Sequence, residues 1–122
     1  MTKPPSILNT ALVEELRGRL WLSRGALFRT VARTDEELAT LEAHQAGSLV
    51  EDAATETVAA MLSRLEGQQK HELDEIEDAL GRLESDTFGL CEHCCRPIPL
   101  ARLRAVPVAR HCLDCQEKLE AR

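Results

Sequence analysis

Apolar residues, most of them leucine, recur at intervals of three, four and seven along the first third of the chain. This spacing places them on one face of an α-helix. A second set follows between residues 58 and 83, where a 4-4-3 step around Gln69 indicates a stutter in a heptad pattern. The two sets are Leu8, Leu12, Leu16, Leu20, Leu27, Val31, Leu38 and Leu41, and then Val58, Leu62, Leu65, Gln69, Leu73, Ile76, Leu80 and Leu83.

Each apolar face is too narrow to be buried on all sides, so the pattern predicts two helices packed as an antiparallel coiled-coil hairpin. No proline occurs between Pro5 and Pro97, so long helices are allowed, and the second is expected from about residue 50 to residue 84. The chain should reverse near residues 44–48, where Gly47 can end one helix and Ser48 can cap the next.

A capping-box sequence occurs inside the first helical segment. Residues 34–37 are Thr-Asp-Glu-Glu, in which Thr34 and Glu37 have the spacing of reciprocal N-terminal capping. The first helix is therefore allowed to break or kink at this point.

The composition agrees with elongated helices. Of 122 residues, 2% are aromatic, 43% are hydrophobic and 30% are charged, a balance typical of coiled coils. The predicted class is all-α. No apolar run is long enough to span a bilayer, and a net charge of −6 argues against wrapping nucleic acid. The segment from Cys91 onward, however, contains six basic and four acidic residues, so this end of the chain is mildly basic.

Two C-x2-C pairs, Cys91 with Cys94 and Cys112 with Cys115, are separated by seventeen residues. Four thiolates select Zn²⁺ or an iron–sulfur cluster over hard cations, and a closed four-sulfur zinc site is structural. Two disulfides or a thioredoxin-like redox pair are less favoured. The chain begins without a signal-peptide pattern and shows no βαβ pattern, so we expect one structural Zn²⁺ in a cytoplasmic protein.

A fifth cysteine, Cys95, adjoins the ligand Cys94. It is interpreted as a free thiol, with a redox-sensing sulfur beside the metal as the alternative. His93 and His111 also lie beside ligand positions and are interpreted as surface residues.

The expected organisation has three parts. Residues 1–6 form a disordered N-terminus, residues 7–86 form the hairpin with its tip near 45–54, and residues 87–122 form a zinc-finger module that ends in a short helix.

The C-terminal third resembles the DksA/TraR family of bacterial zinc-finger transcription regulators. The resemblance is carried by residues 84–94 (ESDTFGLCEHC), 96–107 (RPIPLARLRAVP) and 109–115 (ARHCLDC). It implies a hairpin that enters the secondary channel of RNA polymerase, with its tip near the catalytic centre, and a globular end that grips the channel rim. Initiation would be modulated without binding to specific DNA sequences.

The best-known members of this family carry D-x-x-D-x-A at the tip. Counting back from Cys91 without gaps places Ser48, Glu51, Asp52 and Ala53 in that segment. Ala53 matches the motif and Glu51 keeps the second carboxylate, whereas Ser48 lacks the first charge. Asp52 stands where members often carry arginine, so the resemblance implies a weakened or altered tip.

Members that respond to the alarmone ppGpp use basic residues at several positions where this chain has Gln68, Glu75 and Gln116. Phosphates gain little from these side chains, so weak or absent synergy with ppGpp is expected.

The remaining expectations are a monomer with no membrane association and no catalytic activity, since no nucleophile–base pair, phosphate loop or open metal site is visible. Trp21 and Phe28 leave self-association open. The competing functions are a zinc-ribbon adaptor for another protein and a thiol-based sensor that uses Cys95.

Overall fold

The computed structural model describes residues 10–45 and 51–121. Within these ranges the chain is helical and contains no strand, apart from an isolated antiparallel bridge between Leu90 and Pro97. The all-α class, the C-terminal cluster of four cysteines and the short terminal helix are confirmed. The helices are α1 (Thr10–Arg29), α2 (Asp35–Gln45), α3 (Glu51–Arg64), α4 (Gly67–Glu84), α5 (Leu100–Ala105) and α6 (Leu113–Glu120).

The chain divides into two compact units. The first joins the described residues up to Leu20 with the chain from Glu77 onward, and the second covers Trp21–Ile76. The predicted boundaries at residues 6 and 86 stay predictions. No helix within the described ranges is both long and apolar enough to cross a membrane.

The first unit combines the start of α1 with the end of α4, the zinc-finger loops, α5 and α6. The guanidinium of Arg19 donates to the carbonyl of Arg104, and Arg104 lies 3.6 Å from the carboxylate of Glu15, so α1 is linked to α5. The buried apolar side chains of this unit are Leu12, Leu16, Leu20, Ala79, Leu83, Phe88, Ile98, Leu103 and Ala109.

In the second unit, the break between α1 and α2 lies at the predicted capping box. The hydroxyl of Thr34 accepts the Glu37 N–H at 3.1 Å, and the Glu37 carboxylate accepts the Arg33 N–H at 3.0 Å. The first contact satisfies an N–H group that the first turn of α2 would otherwise leave unpaired, and the second ties the chain before the cap to that turn.

The second helical arm also breaks, and here the prediction of one helix from about residue 50 to residue 84 is wrong. α3 ends at Arg64 and α4 begins at Gly67. The side-chain oxygen of Gln69 accepts the Glu66 N–H at 3.1 Å, which caps the start of α4. The 4-4-3 step that indicated a stutter therefore coincides with a new helix start.

The core of the second unit takes one or more residues from each helix around the two breaks. It consists of Phe28, Leu41, Met61, Leu65 and Leu73, all at most 3% exposed. Leu38 and Leu62, both expected on the apolar faces, are 39% and 40% exposed. Met61, at 0% exposed, occupies the core in place of Leu62. The expected reversal at residues 44–48 lies largely outside the described residues.

Candidate metal centre

The structure brings Cys91, Cys94, Cys112 and Cys115 together, with their four sulfur atoms within 4.8 Å of one another. The Sγ atoms of Cys94 and Cys112 are 3.8 Å apart. Zinc–sulfur bonds of about 2.3 Å in a tetrahedron place sulfur atoms about 3.8 Å apart, so the spacing fits a Zn²⁺ ion held by these thiolates.

The first pair of cysteines lies in a tight hairpin. The Ile98 N–H donates to the Gly89 carbonyl at 2.7 Å, and the Cys91 N–H donates to the Arg96 carbonyl at 2.9 Å. Gly89 has a φ of 89°, a conformation that glycine adopts without a steric cost. The hairpin thereby brings both sulfur atoms to the same side of the turn.

The second pair lies at the start of α6. Cys112 is the N-cap residue, Cys115 is in the first turn, and the Gln116 N–H donates to the Cys112 carbonyl at 2.9 Å. The positive end of a helix dipole stabilises thiolates at this position. The Arg102 guanidinium donates to the His111 carbonyl at 3.1 Å, which ties the chain before Cys112 to α5.

The thiols of Cys91 and Cys115 differ in acidity. Burial opposes ionisation of Cys91, but amide N–H groups of Cys94, Cys112 and His93 outweigh it and lower the pKa of Cys91 to about 6. Burial raises the pKa of Cys115 to about 12, with further contributions from the neighbouring sulfur atoms. One thiolate therefore forms readily, whereas holding four of them together requires a cation.

Cys95 is exposed and lies outside the sulfur cluster. Its N–H donates to the Cys91 carbonyl at 2.9 Å, and its φ of 63° places it in the left-handed region. Neither His93 nor His111 belongs to a ligand cluster within the described part of the chain, and His93 is exposed. The donor set is thus four sulfur atoms, and such a closed site is structural.

A network of charged side chains beside the zinc module gave no signal in the sequence. Arg110 pairs with Asp78 at 2.6 Å and lies 3.4 Å from the carboxylate of Glu92. Arg82 lies 3.5 Å from Glu92 and donates to the Val108 carbonyl at 3.4 Å. α4 is therefore linked to the loops around both cysteine pairs, by contacts that no local sequence pattern predicts.

The predicted tip residues can be placed only in part. Ser48 lies outside the described residues, and Glu51, Asp52 and Ala53 begin α3. Their side chains are not described, so their roles stay predictions.

A helical fold with a closed four-cysteine site of this geometry defines a helical zinc-finger protein with one structural zinc ion. Residues 86–121 match the model of the prokaryotic dksA/traR C4-type zinc finger.

Relatives match over nearly the whole chain. The RNA polymerase-binding transcription factor DksA of Caulobacter vibrioides is 30% identical over 115 residues, which cover 94% of this chain and 80% of the relative. The protein of the same name from Escherichia coli K12 is 31% identical over 111 residues, which cover 91% of this chain and 68% of the relative. The chain belongs to the DksA/TraR family.

The fold is also similar to solved structures. The RNA polymerase binding protein and transcriptional regulator Dks of Chlamydia trachomatis L2 gives a TM-score of 0.60 at 23% identity, with 93% of each chain covered. Transcription factor DksA2 of Pseudomonas aeruginosa gives 0.58 at 23% identity, with 98% of this chain and 92% of that chain covered.

Proposed function

We propose that the protein is a bacterial transcription regulator that binds RNA polymerase in the cytoplasm. The observation that carries this proposal is the match to proteins named for polymerase binding, which runs through both the helices and the four-cysteine finger. The net charge of −6 also favours a protein partner over sequence-specific binding to DNA. The protein acts by binding and has no catalytic role.

The proposed mode of action is entry of the helical arms into the secondary channel of the polymerase. Initiation is modulated by the tip near residues 45–54, where Glu51 supplies a carboxylate close to the catalytic centre and Ala53 allows close approach. What supports this is the ungapped count to Cys91 and the start of α3 at Glu51. The zinc ion has a structural role in the C-terminal module, where it organises the loops for contact with the polymerase.

In vitro transcription with purified polymerase tests the role of the tip. Glu51→Ala and Ala53→Thr are expected to abolish the effect on initiation while polymerase binding, measured by co-sedimentation, is retained. Glu56→Ala is the matched control, because Glu56 is an exposed carboxylate farther along α3. Full activity of both tip variants would contradict the proposed mechanism.

Synergy with ppGpp is proposed to be weak or absent. The Gln116 amide donates to Glu120 at 2.9 Å, and the carboxylate of Glu75 pairs with His71 at 3.0 Å. The Gln68 amide is directed to Glu72 at 3.5 Å. These positions thus present or contact carboxylates, which repel phosphate. Strong enhancement of promoter inhibition by ppGpp in the presence of the protein would overturn this part of the proposal.

A further inference from the structure

Four helix ends meet at one level of the second unit. α1 ends and α2 begins on one arm, while α3 ends and α4 begins on the other. Polar side chains and carbonyls connect these ends, and we call this group the helix-break node: Thr30, Val31, Glu37, Arg64 and Gln69.

Arg64 makes the central contacts of the helix-break node. Its two terminal nitrogens donate to the two carboxylate oxygens of Glu37, at 2.7 and 2.9 Å. One of these nitrogens also donates to the Val31 carbonyl at 2.9 Å, just beyond the end of α1. The Gln69 amide, which follows the second break, donates to the Thr30 hydroxyl at 3.3 Å. Each break is therefore linked to the other by side chains.

The charges at the node match the helix ends that they adjoin. Glu37 is in the first turn of α2 and Arg64 is in the last turn of α3, where a negative and a positive charge respectively are favoured by the helix dipoles. The hydrogen bond from Arg64 lowers the pKa of Glu37, because it stabilises the charged form of the carboxylate. The Glu37 side chain is 11% exposed and the Arg64 side chain 23%, so solvent competes little for their contacts.

Apolar packing around the node is tight, but it is weakly directional. The surrounding core of Phe28, Leu41, Met61, Leu65 and Leu73 holds the segments together. Only Leu65 and Glu66 connect α3 to α4, and no helical hydrogen-bond ladder crosses them unbroken. A planar guanidinium paired with both oxygens of a carboxylate fixes an orientation, which apolar contacts do not.

We propose that Arg64 and Glu37 are positioning residues that fix the orientation of α2 and α3 relative to the adjoining ends of α1 and α4 within the second unit. Since α3 begins in the predicted tip segment, the pair sets the direction in which that segment is presented. The consequence for transcription rests on the proposed function, whereas the orientation itself does not.

The proposal is tested by residual dipolar couplings of backbone amides in the zinc-loaded full chain, compared between wild type and Glu37→Gln. In the wild type, couplings from α2 and α3 and from residues 21–29 and 67–76 are expected to fit one alignment tensor. In Glu37→Gln, the couplings of α2 and α3 are expected to depart from the tensor that fits the other two segments. Arg64→Lys, which keeps the cation but loses the two-pronged contact, should give the same departure and serves as a second variant if Glu37→Gln does not fold.

Two controls separate positioning from charge and from stability. Glu75→Gln makes the same change in charge at a pair on α4, away from the breaks. Val58→Ala weakens packing against the core cluster without touching the node. Both should keep the single tensor, and a departure in Val58→Ala as large as that in Glu37→Gln would overturn the proposal. The proposal would also be overturned if the couplings of Glu37→Gln and of Arg64→Lys each fitted a single alignment tensor.

In vitro transcription then links orientation to function. Glu37→Gln should retain polymerase binding and lose most of its effect on initiation, while Glu75→Gln retains both. If the wild type itself had no effect on initiation, the proposed function would fail, but the couplings would still decide the orientation. Full activity of a Glu37→Gln protein with reoriented helices would overturn the link to the tip.

Discussion

The zinc module and the helix-break node both join chain segments that are distant in sequence, but with different chemistry. Four sulfur atoms within 4.8 Å of one another hold the loops of the zinc module, whereas Arg64 and Glu37 join the helix breaks through two hydrogen bonds. Binding of structural zinc supplies folding free energy directly. A partly buried ion pair adds little stability over apolar residues of similar volume, although removing one partner is destabilising, and we propose that this pair mainly selects one arrangement. The metal therefore determines whether a region folds, and the ion pair determines how helices are directed.

The largest expected effect comes from Cys112→Ser. Zinc binding contributes about 10 kcal/mol or more to the folding of zinc-finger peptides, so loss of one ligand should unfold residues 87–121. Zinc content should fall to near zero, and amide signals of this segment should lose their dispersion in heteronuclear NMR spectra. Signals from residues 21–45 and 55–76 should persist, because the core around Phe28 contains no metal ligand. If the amide signals of both regions lost their dispersion, the two regions would not fold separately.

The second effect concerns the core that surrounds the node. Phe28 is fully buried, so Phe28→Ala should lower the free energy of unfolding by about 3–5 kcal/mol, measured by urea denaturation. Leu22→Ala, at a side chain that is 60% exposed, is the control and should change it little. Equal losses in the two variants would contradict the assigned packing of α1.

The node also predicts a dependence on pH. The pKa of Glu37 is lowered by its hydrogen bond to Arg64, so the stability that the pair contributes is present above the unfolded pKa of about 4.3 and is lost as pH falls through the folded pKa. The melting temperature of the wild type should therefore exceed that of Glu37→Gln at pH 7, and the difference between them should shrink as the pH is lowered. A difference in melting temperature that widens below pH 4 would contradict the lowered pKa of Glu37.

The smallest effect concerns Cys95 in the zinc module. Its φ of 63° is unfavourable for residues with a Cβ atom, so Cys95→Gly should raise stability by about 1 kcal/mol. Cys95→Ser keeps the Cβ atom and should leave both stability and zinc content unchanged. If serine stabilised the module as much as glycine, backbone strain would not be the cause.

How much the sequence could predict differs between the two regions for a physical reason. Zinc ligands come from two short turns whose C-x2-C spacing is local, and the capping box of Thr34 and Glu37 is local as well. The break before Gly67 was missed because Gln69 suits both a heptad stutter and the cap of a new helix. Arg64 and Glu37 are 27 residues apart in sequence, and they pair only because the two helix breaks lie side by side in the fold. The periodicity of apolar residues does not predict this arrangement.

The most direct test of the proposed function is to ask whether the predicted tip segment lies near the catalytic centre when the protein binds the polymerase. When iron(II) replaces the catalytic magnesium of RNA polymerase, it reduces added hydrogen peroxide to hydroxide and a hydroxyl radical, is itself oxidised to iron(III), and the radical cleaves nearby polypeptide. With this end-labelled protein bound, we predict cleavage within residues 45–54 and none in residues 87–121. Cleavage confined to the zinc module, or protein that binds the polymerase without being cleaved, would contradict the proposed entry through the secondary channel.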